Sequence, residues 1–251
     1  MNKKPLIETL KEFQKQIDIK GNNQLIYLKN HETHDFTKDS KNNLWIDEES
    51  HTYYFNDGKD TQINDDLSIS ATTYIKHYDD RFTFKNVDIP EDKLIKSAND
   101  GIKIHYNIEK RNYPSFEKIL KDDFNVGSDN LREVILWQKD LKLVGMIDIL
   151  DLQGLDDKVL VQLIDHKVTK QDKFDYLSLQ LNFYRLAIKP LIKFLEKEYN
   201  LPSEVRLMGD IIDKYNGVSK RLDIPVIDDE HIIEILNIGR KNFNDENGTD
   251  L

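Results

Sequence analysis

The sequence predicts an α/β fold of the α+β kind, in which helices flank a central mixed sheet. Three short apolar runs rich in β-branched residues follow one another between residues 133 and 168, and the short polar turns between them are typical of a β-meander. On both sides of this segment, apolar residues recur three and four positions apart, as on one face of an α-helix. The chain of 251 residues with 38% hydrophobic side chains is long enough to bury a sizeable core.

Composition excludes several kinds of site. The chain has 36 basic and 46 acidic residues, a formal net charge of -10 and no cysteine, so disulfides, thiolate zinc sites and iron–sulfur clusters are excluded. The acidic total argues against a protein that coats nucleic acid, but it leaves room for a local basic groove or a carboxylate metal site. No run reaches the roughly 18 apolar residues of a membrane span, and the basic N-terminus lacks the apolar core of a signal peptide. We therefore expect a cytoplasmic protein with no membrane partner.

Residues 1–90 are predicted to form an N-terminal extension that packs on the core. A short amphipathic helix and a polar segment lead to about residue 45. After this point LWIDEES and HTYYFND alternate apolar and polar side chains, and Asn56-Asp57-Gly58 is a tight-turn signal, which together predict a β-hairpin. Ser68 or Ser70 is placed to cap a helix through ATTYIKHY.

Residues 91–251 are predicted to form the core, with elements in the order α-β-β-β-α-β. Pro190 lacks the backbone N–H that a helix interior needs, so the chain should kink there or begin a new helix at or near it. We expect the tail 244–251 to fray. The predicted elements are a helix over roughly 91–112, strands near 133–140, 141–150 and 158–168, a helix from Phe174 to Ile188, strands within 204–215 and 221–227, and a final helix over 228–243.

Two acids interrupt the predicted strands. Asp148 lies in GMIDIL and Asp165 lies in LVQLIDHKV, where an ionised carboxylate is costly unless a cation balances it. Asp165 and Lys167 are two positions apart on a strand and therefore project from the same face. The spacing between Asp148 and Asp165 fits neighbouring strands joined by a turn, which would bring both carboxylates to one edge of the sheet. For Asp165 and Lys167, a simple ion pair at a strand end is the alternative.

Further polar residues lie on the helices before and after these strands. His105 is on or near the apolar face of the helix that precedes the meander. Gln180 and Tyr184 are four positions apart on the helix that follows, so they share a face and can reach the same site; the alternative is that both are ordinary half-buried core residues. The informative feature is the order along the chain: His105, Gly145-x-x-Asp148, Asp165-x-Lys167, Gln180-x-x-x-Tyr184.

This order resembles the PD-(D/E)XK nuclease superfamily, specifically its RecB-type branch, which includes stand-alone phage and bacterial exonucleases. The resemblance covers roughly residues 91–215 and implies a restriction-endonuclease-like αβββαβ core. Members that carry an iron–sulfur staple use cysteines, so those subgroups match poorly. The matching positions are His105 for the helical histidine, Gly145 and Asp148 for G-x-x-D, Asp165 and Lys167 for D-x-K, and Gln180 and Tyr184 for Q-x-x-x-Y, with Glu133 where many members carry a glutamate.

The resemblance implies a metal-dependent deoxyribonuclease that uses Mg²⁺ or Mn²⁺. It implies no iron–sulfur cluster and no nucleotide cofactor, since the chain has no Walker A sequence. Lys167 would hold the attacking water and the phosphate, with a pKa that neighbours and burial can lower. The implied catalytic residues are Asp148, Asp165 and Lys167; the implied metal ligands are His105, Asp148, Asp165 and the backbone carbonyl of His166; the implied substrate-positioning residues are Gln180, Tyr184, Lys170 and Lys173; Glu109 and Glu133 are further candidates.

The implied substrate is DNA, as duplex ends or single strands, in recombination, repair or phage replication. A recombinase or a single-strand-binding protein is a candidate partner. Three alternatives stay open at this point: a structure-dependent or nicking endonuclease of the same fold, a catalytically silent DNA-binding scaffold, and an acidic α/β protein with a cation site and no DNA-dependent activity.

Overall fold

A mixed central sheet with helices packed on it forms the core of the protein. The computed structural model describes residues 9, 12–13, 26–30, 43–47, 52–56, 61–63, 68–82, 91–109, 130–169, 173–213 and 217–251. The elements are β1 Ile26–Asn30, β2 Asn43–Asp47, β3 Thr52–Asn56, β4 Thr61–Gln62, β5 Ile69–Ser70, α1 Ala71–Tyr78, a 3₁₀ turn Asp80–Phe82, α2 Glu91–Glu109, β6 Leu131–Gln138, β7 Leu143–Gly154, β8 Val159–Val168, α3 Phe174–Ala187, α4 Lys189–Tyr199, β9 Ser203–Asp213, β10 Gly217–Ile224 and α5 Asp229–Asn247.

The central sheet has the strand order β1-β6-β7-β8-β9-β10, and the short β5 pairs with β7. β8 and β9 are parallel, as are β5 and β7, whereas the other pairs are antiparallel. β8 reads VLVQLIDHKV and is buried along its first eight residues, as expected of a strand covered on both faces. The predicted α/β class with a mixed central sheet and flanking helices is therefore confirmed.

Helices cover one face of the central sheet. A Cβ added at Gly209 of β9 would lie 2.7 Å from Leu177 Cδ1, so α3 rests directly on this strand. A Cβ at Gly239 of α5 would lie 2.8 Å from the Tyr74 carbonyl oxygen, which shows how closely α5 crosses α1. Both contacts belong to one large apolar core that also includes Val134 of β6.

The antiparallel sheet β2-β3-β4 covers part of the opposite face. Alternation along β6 explains the two layers, because Val134 and Leu136 join the helix-side core while Ile135 and Trp137 point to the small sheet. The Phe55 ring lies 5.2 Å from the Trp137 ring, centroid to centroid. The small sheet contributes Leu44, Tyr53, Phe55 and Ile63 to this second cluster.

Most predicted elements are present with shifted ends. The order α-β-β-β-α-β is confirmed, and the predicted hairpin is confirmed as the β2–β3 pair. Ser70, rather than Ser68, caps α1, because its side chain accepts a hydrogen bond from the Thr73 amide. α3 ends at Ala187, and α4 begins with Pro190 in its first turn, so the new helix predicted at or near Pro190 is confirmed.

Three features differ from the expectations. The region 1–90 supplies β1 and β5 to the central sheet itself, in addition to its hairpin. β6 begins at Leu131, ahead of the predicted start near 133, so Glu133 lies inside the strand, where it has a positive φ of 49°. The tail does not fray at residue 244, because α5 continues to Asn247 and ends at Gly248, whose φ of 64° suits a helix C-cap.

The predicted N-terminal helix falls mainly outside the described residues. Among the helices that the structure describes, none has both the length and the apolar content needed to cross a membrane.

Candidate functional site

Adjacent antiparallel strands place Asp148 and Asp165 side by side. β7 and β8 pair at Ile149 and Ile164; Asp148 precedes the first of these residues and Asp165 follows the second, so the two acids lie opposite each other. Both are buried, with 8% of Asp148 and 1% of Asp165 exposed. The His166 amide donates a hydrogen bond of 2.6 Å to Asp148 Oδ2, which ties the two motif strands together at this point. The structure therefore brings together the carboxylates of G-x-x-D and D-x-K.

Lys167 lies beside this carboxylate pair. Its Nζ is 2.5 Å from Asp165 Oδ2, and a quarter of the side chain is exposed, so the ammonium group stands between the buried acids and solvent. The i, i+2 contact that the strand pattern predicts is confirmed.

The charges of this cluster shift one another's pKa values. Burial, opposed by Lys167 and reinforced by Asp148, raises the pKa of Asp165 to about 6. Burial alone would lower the pKa of Lys167, but the carboxylates of Asp165 and Asp148 raise it above its ordinary value. The expectation of a lowered lysine pKa is therefore wrong: Lys167 stays positively charged at neutral pH, because two acids outweigh the cost of burial.

The G-x-x-D and Q-x-x-x-Y motifs pack against each other. A Cβ added at Gly145 would lie 2.7 Å from Tyr184 Cε1 and 3.0 Å from its hydroxyl oxygen, so only glycine leaves room for this ring. Gln180 Nε2 donates a hydrogen bond of 3.0 Å to the Tyr184 hydroxyl. Burial, with smaller effects from Asp165 and Tyr53, raises the pKa of Tyr184 well above its ordinary value. Since Gln180 and Tyr184 are both buried, these contacts fit a role in positioning β7 better than a direct contact with DNA.

Tyr53 of the small sheet reaches the same cluster. It is 9% exposed, and burial, reinforced by Glu133 and Asp148, raises its pKa above the ordinary value. Tyr53 packs in one cluster with Ile135 of β6 and Val144 of β7, so it lies against the strands that carry Glu133 and Asp148. Sequence reasoning missed this residue: the alternation in HTYYFND places Tyr53 on a buried face, but it does not identify the surface that this face covers.

His166 points to the opposite side of β8 and joins a polar row across three strands. His166 is in register with Asp210 of β9, and Asp210 is in register with Arg221 of β10. His166 Nδ1 lies 3.5 Å from Asp210 Oδ2, and Arg221 Nε donates to Asp210 Oδ1 at 3.1 Å. Burial alone would lower the pKa of His166, but Asp210 and other nearby carboxylates raise it. The row places His166, the residue between Asp165 and Lys167, next to buried charges of the neighbouring strands. In the sequence, only the charged residues within the predicted strands of the C-terminal region hinted at it.

The remaining predicted site residues are placed only in part. α2 contacts β8 and carries His105 and Glu109, whose side chains are outside the described part of the structure. Lys170 also falls outside the described residues. Lys173 is the residue immediately before α3 and is partly exposed. The roles expected of these four residues stay predictions.

The donor set of Asp148 and Asp165 fits a hard divalent cation. Carboxylate oxygens are the ligands that Mg²⁺ prefers, and Mg²⁺ is commonly held by one or two carboxylates while it keeps several waters. Burial of two adjacent acids, with the raised pKa of Asp165, indicates a place where additional positive charge would be favourable. Among the side chains that the structure describes, no group of three or more acidic or histidine residues is arranged to hold a metal ion.

Comparisons with known proteins provide no assignment. No protein-family model matches this chain, and no curated protein matches it. Among solved structures, the chain is similar to one described as "Crystal structure of SSO0001", with 13% sequence identity, coverage of 71% of this chain and 78% of that chain, and a TM-score of 0.34. A likeness at this level carries no argument about the chemistry of the site.

Proposed function

We propose that this protein is a metal-dependent deoxyribonuclease with a PD-(D/E)XK-type core, and that it acts as an exonuclease on DNA ends. The observation that carries the proposal is the buried pair Asp148 and Asp165 on neighbouring strands, with Lys167 Nζ 2.5 Å from Asp165. Metal-assisted phosphodiester hydrolysis needs hard oxygen ligands and a fixed positive charge near the phosphate. Both are present in this cluster, in the order along the chain that the RecB-type branch shows.

Asp148 and Asp165 would hold Mg²⁺ or Mn²⁺, with the backbone carbonyl of His166 and the side chain of His105 as further ligands. The metal ion, when bound, would polarise the phosphate and lower the pKa of a bound water. The hydrogen bond from the His166 amide to Asp148 fixes one carboxylate relative to the other strand. The row from His166 through Asp210 to Arg221 lies beside the peptide that carries the proposed carbonyl ligand.

Lys167 would act as a cation. Its Nζ lies 2.5 Å from Asp165 Oδ2, so it would stand beside the metal ion that this carboxylate holds. Its ammonium group can donate hydrogen bonds to a non-bridging phosphate oxygen, on which negative charge builds up during hydrolysis. Its partial exposure leaves it accessible to a strand that approaches from solvent.

The proposal is tested by incubating the purified protein with linear duplex, covalently closed circular and single-stranded DNA, in Mg²⁺, Mn²⁺ or EDTA. We expect metal-dependent loss of DNA that has ends, while closed circles survive. Replacing Lys167 with alanine should lower the rate by at least about 100-fold, because one pre-placed charge near the phosphate is removed.

Lys158→Ala is the matched control. Lys158 precedes β8 and pairs with Glu204 at 2.5 Å, and the nine strand positions to Lys167 span about 30 Å, so its loss should leave the rate unchanged. Cleavage of closed circles would make the protein an endonuclease. A folded protein that binds DNA but degrades none of the substrates would be a scaffold, and the nuclease proposal would be wrong.

A further inference from the structure

A line of side chains in contact with one another leads from Lys167 toward solvent. Lys167 Nζ lies 5.6 Å from the centre of the Tyr176 ring. Tyr176 meets Phe82 edge to face, with 5.8 Å between ring centres, and Arg81 Cζ lies 5.6 Å from the centre of the Phe82 ring. We call Tyr176, Phe82 and Arg81 the aromatic strip. It joins the first turn of α3 to the 3₁₀ turn after α1.

The outer end of the strip is held in place and exposed. Arg81 is 73% exposed in its side chain, yet its Nη2 lies 2.6 Å from Asp79 Oδ2 and its Nε donates to the same carboxylate. Phe82 and Tyr176 pack on the helix-side core and are only partly buried. Both rings therefore keep part of their surface exposed beside their contacts with the core, with each other, and with Lys167 or Arg81.

The charges around the strip favour a ligand that binds by stacking. Arg81 is paired with Asp79, and Lys167 is paired with Asp165, so each cation has a carboxylate neighbour. The whole chain has a net charge of -10. Neutralisation of phosphates, which dominates ordinary DNA binding, is therefore a weak source of affinity here. Stacking of a base on an aromatic ring contributes about 1–3 kcal/mol per base and needs no excess of positive charge.

We propose that the aromatic strip is the binding platform for unpaired bases of the strand whose phosphate reaches Lys167. Bases inside a duplex already stack on one another, so only a single strand or an unpaired end can offer a base face to Tyr176 and Phe82. This inference rests on the proposed nuclease function and adds its substrate class: single-stranded DNA or a frayed end.

The test compares two oligonucleotides of equal length in a direct binding assay with Mg²⁺. One carries bases and the other is abasic, so both present the same phosphates. Lys167→Ala serves as the background to prevent cleavage. We expect this protein to bind the base-containing strand roughly tenfold more tightly than the abasic strand. Adding Phe82→Ala should weaken that preference and leave the salt dependence of binding unchanged, because one of the two rings is lost and no phosphate contact is lost.

Two further variants separate stacking from folding. Phe82→Leu keeps an apolar side chain of similar bulk without a ring, so it should show a weakened base preference even if the alanine variant unfolds. Ile233→Ala removes a 40% exposed apolar side chain from α5, outside the strip, and should retain the preference.

Equal binding of the two strands in the Lys167→Ala background would overturn the stacking platform. So would an undiminished preference in Phe82→Leu, or loss of the preference in Ile233→Ala. The wild-type protein is assayed for DNA hydrolysis in parallel. If it cuts DNA but shows no base preference, only the platform fails; if it neither cuts nor binds DNA, the nuclease proposal fails with it.

Discussion

Gly145→Ala tests whether the glycine of G-x-x-D serves the packing of Tyr184. The added Cβ would lie 2.7 Å from Tyr184 Cε1 and 3.2 Å from Cζ, whereas non-bonded carbon atoms prefer about 3.5–4.0 Å. The Tyr184 ring cannot easily move away from the added Cβ, because Tyr184 is 2% exposed and its hydroxyl accepts a hydrogen bond from Gln180. Either α3 or β7 must therefore move by several tenths of an ångström or more.

The expected cost follows from two opposing effects. Overpacking a filled core costs about 1–3 kcal/mol. Replacing glycine also lowers the conformational entropy of the unfolded chain, which stabilises the folded state by about 0.4–1 kcal/mol. The clash is the larger effect, so we expect the free energy of unfolding to fall by about 1–2 kcal/mol. For a chain of this size that lowers Tm by about 2–8 °C. Thermal and urea unfolding, followed by circular dichroism without added metal, measure this change.

Two comparisons make the prediction refutable. In a Tyr184→Leu background the ring atoms are gone, so Gly145→Ala should cost nothing, which gives a coupling energy of about 1 kcal/mol or more. Gly101→Ala in α2 is the matched control: nothing lies within 4 Å of its added Cβ, and alanine should stabilise the helix by up to about 1 kcal/mol. Equal costs of Gly145→Ala in the two backgrounds, or unchanged stability in the wild-type background, would refute the reasoning.

Three further predictions concern stability, each measured by urea unfolding. Basic side chains of α3 and α4 outweigh burial and lower the pKa of Asp229, so Asp229→Asn should cost roughly 0.5–1 kcal/mol at pH 7; the stabilisation is lost as pH falls below about 4, where variant and wild type should converge. Asp210→Ala removes the carboxylate that faces His166 and Arg221 and should cost about 3 kcal/mol; a loss below about 1 kcal/mol would contradict a stabilising row. Ser70→Ala removes the N-cap of α1 and should cost about 1 kcal/mol, whereas Ser70→Asp should be nearly neutral.

Local patterns predicted much of the fold because they act over a few residues. The break between α3 and α4 follows from the missing N–H of Pro190. The contact between Asp165 and Lys167 follows from the two-residue period of a strand. Gln180 and Tyr184 touch because residues four apart share a helix face. Each of these outcomes needs no knowledge of distant parts of the chain.

The features that escaped prediction are those set by distant parts of the chain. β1 is a short strand, and nothing within its sequence indicates that β6 is its partner. Tyr53 and Asp210 acquire their surroundings only when the small sheet and β9 come to lie beside the motif strands. The positive φ of Glu133 departs from ordinary strand geometry, and the position holds neither of the residues that favour such a φ, glycine or asparagine. The roles of His105, Glu109, Lys170 and Lys173 stay predictions.

The pairing of β1 with β6 has a consequence for biosynthesis. Ile26 pairs with Gln138, more than 100 residues later in the chain. At translation rates of about 5–20 residues per second, β1 leaves the ribosome roughly 5–20 s before its partner strand exists. During that interval the early strands are open edges that can pair with other chains. We therefore expect the yield of folded protein to rise when a holding chaperone that covers unpaired strands is co-expressed. The early strands would then stay protected until the central sheet can form.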